Sequence, residues 1–237
     1  MARIQEMPRD PGLVIFDLDG TLVDSALDLA TAVNLVLGEH GAAPLHPAQI
    51  RAMIGEGAII LLRRAFAARN LPIPDPEAKR QRFLAACQAN PAARSCLYEG
   101  VRETLAALHD LGIPMAVCTN KAEALARIVL DDMKIGTLFS GLVGGDTHPF
   151  CKPDPRMLQG LLQGFAVEPA RALMVGDSEI DAATAEAAGV PFVLVTYGYR
   201  RGPVEGMQAC ARVERFAELM RVIGPASRSS LKSPGLE

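Results

Sequence analysis

Asp17 and Asp19 stand two residues apart, directly after the apolar run Leu13-Val14-Ile15-Phe16 and just before Gly20-Thr21. Side chains along an extended strand alternate in direction, so the two carboxylates share one side of a strand tip while Leu18 faces away. Such a pair repels itself unless a cation is held there, and a hard divalent ion such as Mg²⁺ prefers oxygen ligands of this kind. Gly20 lets the backbone turn, and Thr21 offers a hydroxyl and an amide to a bound oxyanion. The arrangement suits phosphate chemistry. Asp and Gly also form ordinary turns after buried strands, so the reading depends on which groups the rest of the chain supplies.

Three later segments bring further groups. Thr119-Asn120-Lys121 follows the apolar segment Pro114–Cys118, and Lys152-Pro153-Asp154-Pro155 sets a lysine on a proline turn. Gly176-Asp177-Ser178-Glu179-Ile180-Asp181 follows Leu173-Met174-Val175, and a helix starting there would carry Asp177 and Asp181 on one face. Each has a plainer reading, since Thr and Asn cap helices and most lysines are solvated. A capped helix start explains one aspartate of the last pair better than both.

Taken in order, and with Leu22-Val23-Asp24-Ser25 continuing the first segment, these stretches resemble the four motifs of the haloacid dehalogenase-like phosphohydrolase superfamily. From Leu13 to about Arg200 the chain looks most like the phosphoglycolate phosphatase-like branch, which has a helical cap. The resemblance implies a phosphoric monoester hydrolase acting on a small phosphorylated metabolite through an aspartyl-phosphate. Asp17 would be the nucleophile and Asp19 the general acid/base. Thr119, Asn120 and Lys152 would hold the phosphoryl group. Mg²⁺ would be held by Asp17, Asp177 and the backbone carbonyl of Asp19, with Asp181 supporting the metal's waters and Lys152. A sugar-phosphate phosphomutase uses the same motifs and is the alternative. A dehalogenase does not need Asp19, and a silent binding protein does not need the intact set.

Two positions depart from the family pattern. Glu99 stands where a proline is usual, and Glu56 stands in the cap's glycine loop Gly55-Glu56-Gly57, where a neutral polar residue is common. In the family that loop faces the active site, which makes Glu56 the expected specificity residue. Against a substrate carboxylate about 4 Å away, its charge would cost about 4 kcal/mol at an effective dielectric of 20. A cation such as Arg51, Arg63 or Arg64 would relieve that cost.

The elements that must position these groups change character along the chain. After Asp24, Ser25 is placed to cap a helix carrying Leu29, Val33, Val36 and Leu37. Residues 22–97 read as helices separated by Gly41, Pro44, Pro47, the Gly55-Glu56-Gly57 turn and Pro72, Pro74 and Pro76, with no strand. Ala58–Leu62 runs on into Arg63–Ala68 and is therefore a helix rather than a strand. From Tyr98 onward apolar strands alternate with helices. With Leu13–Phe16, the runs at 114–118, 141–144, 173–175 and 192–195 make five. This pattern predicts an α/β core with a parallel five-stranded, Rossmann-like sheet, helices on both faces, and ligands at the carboxyl ends of the strands. The core takes residues 1–21 and 98–224, the helical cap is inserted at 22–97, and the Ser-, Pro- and Gly-rich stretch 225–237 is an expected mobile tail.

Composition narrows the partners. With 237 residues and 49% hydrophobic content the chain has enough apolar material for a sizeable core. Its net charge of −3 lacks the basic balance of a nucleic-acid or membrane-surface binder. No apolar stretch approaches the roughly 18 residues of a membrane span, and residues 1–12 carry Arg3, Glu6, Arg9 and Asp10 rather than a signal-peptide core. A cytoplasmic monomer or homodimer acting on a small molecule is expected. The five cysteines form no CxxC pair and are expected reduced. The four histidines lack zinc-site spacing.

Overall fold

Leu13–Phe16 forms β1, and its four side chains have no exposed surface. In this computed structural model, which describes residues 7–8, 10–203 and 206–223, β1 leads into a helical insertion and then into the rest of a sheet. The tail expected over 225–237 lies outside the described residues. Strands β4 (Met115–Cys118), β5 (Gly141–Val143), β6 (Ala172–Gly176), β7 (Phe192–Val195) and β8 (Ala211–Val213) complete the sheet in the order β5-β4-β1-β6-β7-β8. Every neighbouring pair is parallel.

The alternation of β1 shows why its run is apolar throughout. Val14 and Phe16 enter one hydrophobic cluster with side chains of α5 (Val101–Asp110), α6 (Glu123–Asp132) and α9 (Leu219–Ile223). Leu13 and Ile15 enter another with α7 (Arg156–Phe165) and α8 (Glu179–Ala188). Helices thus cover both faces, as a parallel sheet requires. The sheet has six strands rather than the five expected. Ala211-Arg212-Val213 is only three residues long with an arginine at its centre, so no apolar run marks it.

The expectation that 22–97 contains no strand also needs correction. Val23–Asp24 (β2) and Cys96–Leu97 (β3) pair antiparallel, Val23 opposite Leu97 and Asp24 opposite Cys96, where the chain enters and leaves the insertion. Two residues per strand are too few to show a period of two. Between them lie α1 (Ala26–Gly38), α2 (Pro47–Arg51), α3 (Gly57–Ala67) and α4 (Pro76–Ala89), packed around their own cluster that includes Val33, Leu62, Phe66 and Phe83. Among the described residues no helix is long and apolar enough to cross a membrane. All five cysteines are free.

Ser25 precedes α1, but its side chain does not cap the helix: Oγ donates to Asp19 Oδ1 at 2.6 Å. The cap is Tyr199, from the loop after β7. Its Oη accepts the N–H groups of Ser25 and Ala26 at 2.7 and 3.1 Å and donates to Asp24 Oδ1 at 2.7 Å. One buried phenol therefore joins the sheet to the first helix of the insertion. Tyr199→Phe leaves two amides without that acceptor and is expected to lower stability by about 1–3 kcal/mol. Chemical denaturation measures this, and a loss below about 0.5 kcal/mol would show that the phenol is not the cap.

Candidate active site

Because β1 lies between β4 and β6, the residues that follow these three strands are neighbours at one edge of the sheet. Asp17 N–H still donates to Val175 O at 2.9 Å, and Thr119 N–H to Val143 O at 3.0 Å, so the strand ladders fix both backbones one residue beyond the strands. Asp177 directly follows β6, and Lys152 comes from the connection between β5 and α7. The chain order changes direction across the sheet here, which is where open α/β sheets bind ligands.

Lys152 is the hub of this edge. It is 3% exposed, its Nζ donates to Asp181 Oδ1 at 2.6 Å, and it lies 2.8 Å from Asp17 Oδ1. The second contact is one of charge rather than a directed hydrogen bond, and Asp17 Oδ1 is buried with no hydrogen-bond donor. Asp181 has no exposed surface. Its Oδ2 accepts Ser178 Oγ at 2.6 Å, Ser178 N–H at 3.1 Å and Asp177 N–H at 3.3 Å, tying the start of α8 to the end of β6. Asp177 Oδ1 accepts the Thr21 hydroxyl at 2.8 Å and Oδ2 the Tyr199 amide at 2.5 Å. Two glycines make room for it. A Cβ on Gly20, whose φ is +93°, would stand 2.5 Å from Asp177 Oδ2, and one on Gly198 would also collide with that carboxylate.

Asp17, Asp177 and Asp181 are all buried, and each offers a carboxylate oxygen within 4.8 Å of the others. Burial pushes the Asp17 carboxyl up to about 7; Lys152 pulls it back and Asp181 adds to the rise. Burial, then Asp181 and Asp17, also push Asp177 well above the usual carboxylate range. Lys152 is held charged, because Asp17 and Asp181 outweigh the opposing effect of its own burial. One ammonium does not balance three carboxylates. The hard oxygen donors, and an Asp17 Oδ1 that accepts no hydrogen bond and meets only the charge of Lys152, fit a divalent ion such as Mg²⁺. Asp181 already serves Lys152 and the start of α8, which leaves Asp17 and Asp177 as the carboxylates suited to ligation.

The other expected residues gather around this cluster. Asp19 lies beside Asp17 on the wall of a cavity of about 210 Å³ that opens between the strand ends and the helical insertion. Thr119, Asn120 and Glu56 line the same cavity. The Asn120 side chain is already engaged. Its Oδ1 accepts Lys152 N–H at 2.8 Å, and its Nδ2 donates to Lys152 O and Gly55 O, both at 3.0 Å. It clamps the lysine's peptide and holds the insertion's glycine loop to the sheet, so any contact with a phosphate falls to its backbone amide.

Glu56 pairs with Arg64 and accepts from Arg201 Nη1 at 2.7 Å. Partial burial raises its carboxyl, but Arg201 and Arg64 outweigh this and hold it below the usual range. Arg64, one of the three candidate cations, therefore does intervene, and the repulsion expected toward a substrate carboxylate is compensated. Arg51 lies elsewhere, bonded to Asp24 Oδ2 at 3.0 Å and Tyr197 O at 3.2 Å. Sequence reasoning assigned no role to Arg201 or Tyr199, which reach the site from the loop after the last strand of the expected five. It also assigned no role to Lys121, although that residue directly follows Thr119-Asn120.

The haloacid dehalogenase-like hydrolase family model matches residues 14–195, a span that holds Asp17, Asp19, Thr119, Lys152, Asp177 and Asp181. The chain belongs to the haloacid dehalogenase-like hydrolases. Within them its relatives lie in the phosphoglycolate phosphatase-like branch. The phosphoglycolate phosphatase of Rhodospirillum rubrum is 46% identical over 215 residues, covering 88% of this chain and 89% of that one. The phosphoglycolate phosphatase of Agrobacterium fabrum is 38% identical over 225 residues, covering 94% and 95%. The crystal structure of a predicted phosphoglycolate phosphatase from Haemophilus somnus matches with a TM-score of 0.85 at 32% identity, covering 89% of this chain and 97% of that one.

The Asp17 environment in this hydrolase has a measurable signature. Between pH 4 and 7 the unfolded chain is already ionised at this position, near its ordinary 3.8, while the folded protein still holds the proton. The folded state then binds more protons, so this group's contribution to stability falls as pH rises through that window and stays low above it. In protein stripped of metal with a chelator, Asp17→Asn is expected to raise the melting temperature relative to wild type more at pH 8 than at pH 5. A difference that does not change with pH would contradict the raised Asp17.

Proposed function

We propose that this chain is a Mg²⁺-dependent phosphatase of a small phosphorylated metabolite, with 2-phosphoglycolate as the leading candidate from its relatives' names. The observation that carries the reading is Asp17, a buried carboxylate at the end of an interior strand, in contact with Lys152 and close to Asp177. Asp17 attacks phosphorus, the bond to the ester oxygen breaks, and Asp19 gives its proton to the departing alkoxide. Water then attacks the phosphorus of the aspartyl-phosphate, Asp19 takes the water's proton, and the bond to Asp17 breaks to release inorganic phosphate. Lys152, the Thr119 hydroxyl and the Asn120 backbone amide hold the phosphoryl oxygens through both steps, since phosphoryl transfer is mainly positioning and charge stabilisation. Asp17, Asp177 and the Asp19 carbonyl would hold Mg²⁺, which supplies charge neutralisation when bound. Asp181 orients Lys152.

Residues 22–97 act as a cap that closes over the cavity and excludes water. The contacts of Gly55 with Asn120 and of Glu56 with Arg201 support this, because both join the insertion to the sheet. Glu56 shapes the side of the cavity that faces the leaving group. The relatives' names favour a phosphatase over a phosphomutase. The enzyme acts in the cytoplasm, as a monomer or homodimer.

Release of inorganic phosphate from 2-phosphoglycolate, with Mg²⁺ and after chelation, tests the reading. Turnover is expected only with the metal, Asp17→Asn is expected to abolish it, and Asp19→Asn is expected to lower kcat by at least about 10². A substantial rate in Asp17→Asn would remove that residue as the nucleophile. Ca²⁺, being larger and accepting more ligands, is expected to inhibit, because Asp17 would then be occupied as a ligand and lost as the nucleophile. Equal rates with the two ions at saturation would contradict direct coordination by Asp17.

A further inference from the structure

Lys121 is a nearly buried ammonium with no part in the phosphoryl-transfer steps. Its side chain is 8% exposed, and its Nζ donates to both Asp19 oxygens at 3.0 Å. An ammonium has three N–H donors, so two contacts leave one. Lys121 also lines the cavity, where the other basic side chain is Arg80. Arg80 is already engaged by Glu77, Nε to Oε2 at 2.8 Å and Nη2 to Oε1 at 2.6 Å. Arg64 and Arg201 are bound to Glu56.

The size of the substrate turns this into a distance argument. A general acid must come within about 3 Å of the oxygen it protonates. Lys121 Nζ sits 3.0 Å from the Asp19 carboxylate, so it lies within roughly 6 Å of the leaving oxygen. In a phosphomonoester whose carboxylate is one carbon removed from the ester oxygen, the carboxylate oxygens lie within roughly 4 Å of that ester oxygen, given bonds of about 1.2–1.5 Å. A cation at hydrogen-bond distance from them then falls in the region that Lys121 occupies. A longer substrate would place its charge farther from the ester oxygen than this.

We infer that Lys121 recognises the carboxylate of a short phosphorylated hydroxy acid and holds it against the general acid, selecting for substrates with the negative charge one carbon from the ester oxygen. This rests on the phosphatase reading and adds to it a residue for specificity. The same ammonium touches both Asp19 oxygens, so the test must separate recognition of the leaving group from an effect on Asp19.

The test compares 2-phosphoglycolate with 2-hydroxyethyl phosphate, in which a hydroxymethyl group replaces the carboxylate, using the Mg²⁺-loaded enzyme. Wild type is expected to prefer phosphoglycolate. Lys121→Met is expected to lower the ratio of kcat/KM for the two substrates by on the order of 10- to 100-fold, the range of one charge-assisted hydrogen bond. Most of that change should appear as a higher KM for phosphoglycolate, and Lys121→Arg should restore most of the ratio. If Lys121 serves only to place Asp19, kcat falls equally for both substrates and the ratio is unchanged, which overturns the inference while leaving the phosphatase reading intact. A ratio that collapses in Arg80→Met and not in Lys121→Met overturns it as well. No turnover of either ester by wild type overturns 2-phosphoglycolate as the substrate and this inference with it.

Discussion

A single ammonium buried among acids is the constraint around which the strand ends are arranged. Lys152 is almost fully buried between Asp17 and Asp181, and a buried ion left without partners is strongly destabilising. Its position is therefore fixed from several sides. Asp181 meets its charge, Asn120 binds its peptide N–H and C=O, and Asp181 is itself locked by the first residues of α8. Moving any one of these groups exposes another to an uncompensated charge. Rigidity at this edge of the sheet follows from electrostatics as much as from apolar packing.

The sheet makes such an arrangement possible. The backbone of β1 is bonded on both sides, to β4 and β6, and its side chains alternate into two separate apolar clusters. A strand held in this way has little freedom to move when charges collect at its end. The hydrophobic interior therefore supports the acidic edge, consistent with catalytic groups being held most accurately on rigid elements.

The α/β class, the helical character of the insertion, the approximate position of most helices and five of the six sheet strands were legible in the sequence, because each rests on a run long enough to show its period. The elements that escaped are those of two or three residues, β2, β3 and β8, whose existence depends on pairing rather than on pattern. The site divides similarly. Asp17, Asp19, Lys152, Asp177 and Asp181 stood out because acids or a lysine at a strand end are unusual for a purely structural turn. The partners of side chains did not. Ser25 was expected to cap α1 because it lies next to it, but the acceptor is the phenol of Tyr199, far away in sequence. Glu56 read as a charge that Arg51, Arg63 or Arg64 could relieve, and which cation meets it was set by the fold: Arg64 and, from far along the chain, Arg201. Asn120 read as a phosphate contact through its backbone amide, and the engagement of its side chain with Lys152 and Gly55 was not readable. Such contacts are set by tertiary proximity, which spacing along the chain does not encode.

The short ribbon of β2 and β3 has an evolutionary consequence. The chain leaves for the insertion through Val23–Asp24 and returns through Cys96–Leu97 directly alongside, so the gap to be spanned is only the distance between two paired strands. Any segment whose ends can meet at that distance satisfies the sheet, whatever its length or composition. Closure entropy grows slowly with the length of the inserted segment, so even large exchanges of material carry a modest thermodynamic cost. The ribbon is in effect a socket, through which the inserted helices can be exchanged while the strand ends keep their places in the sheet.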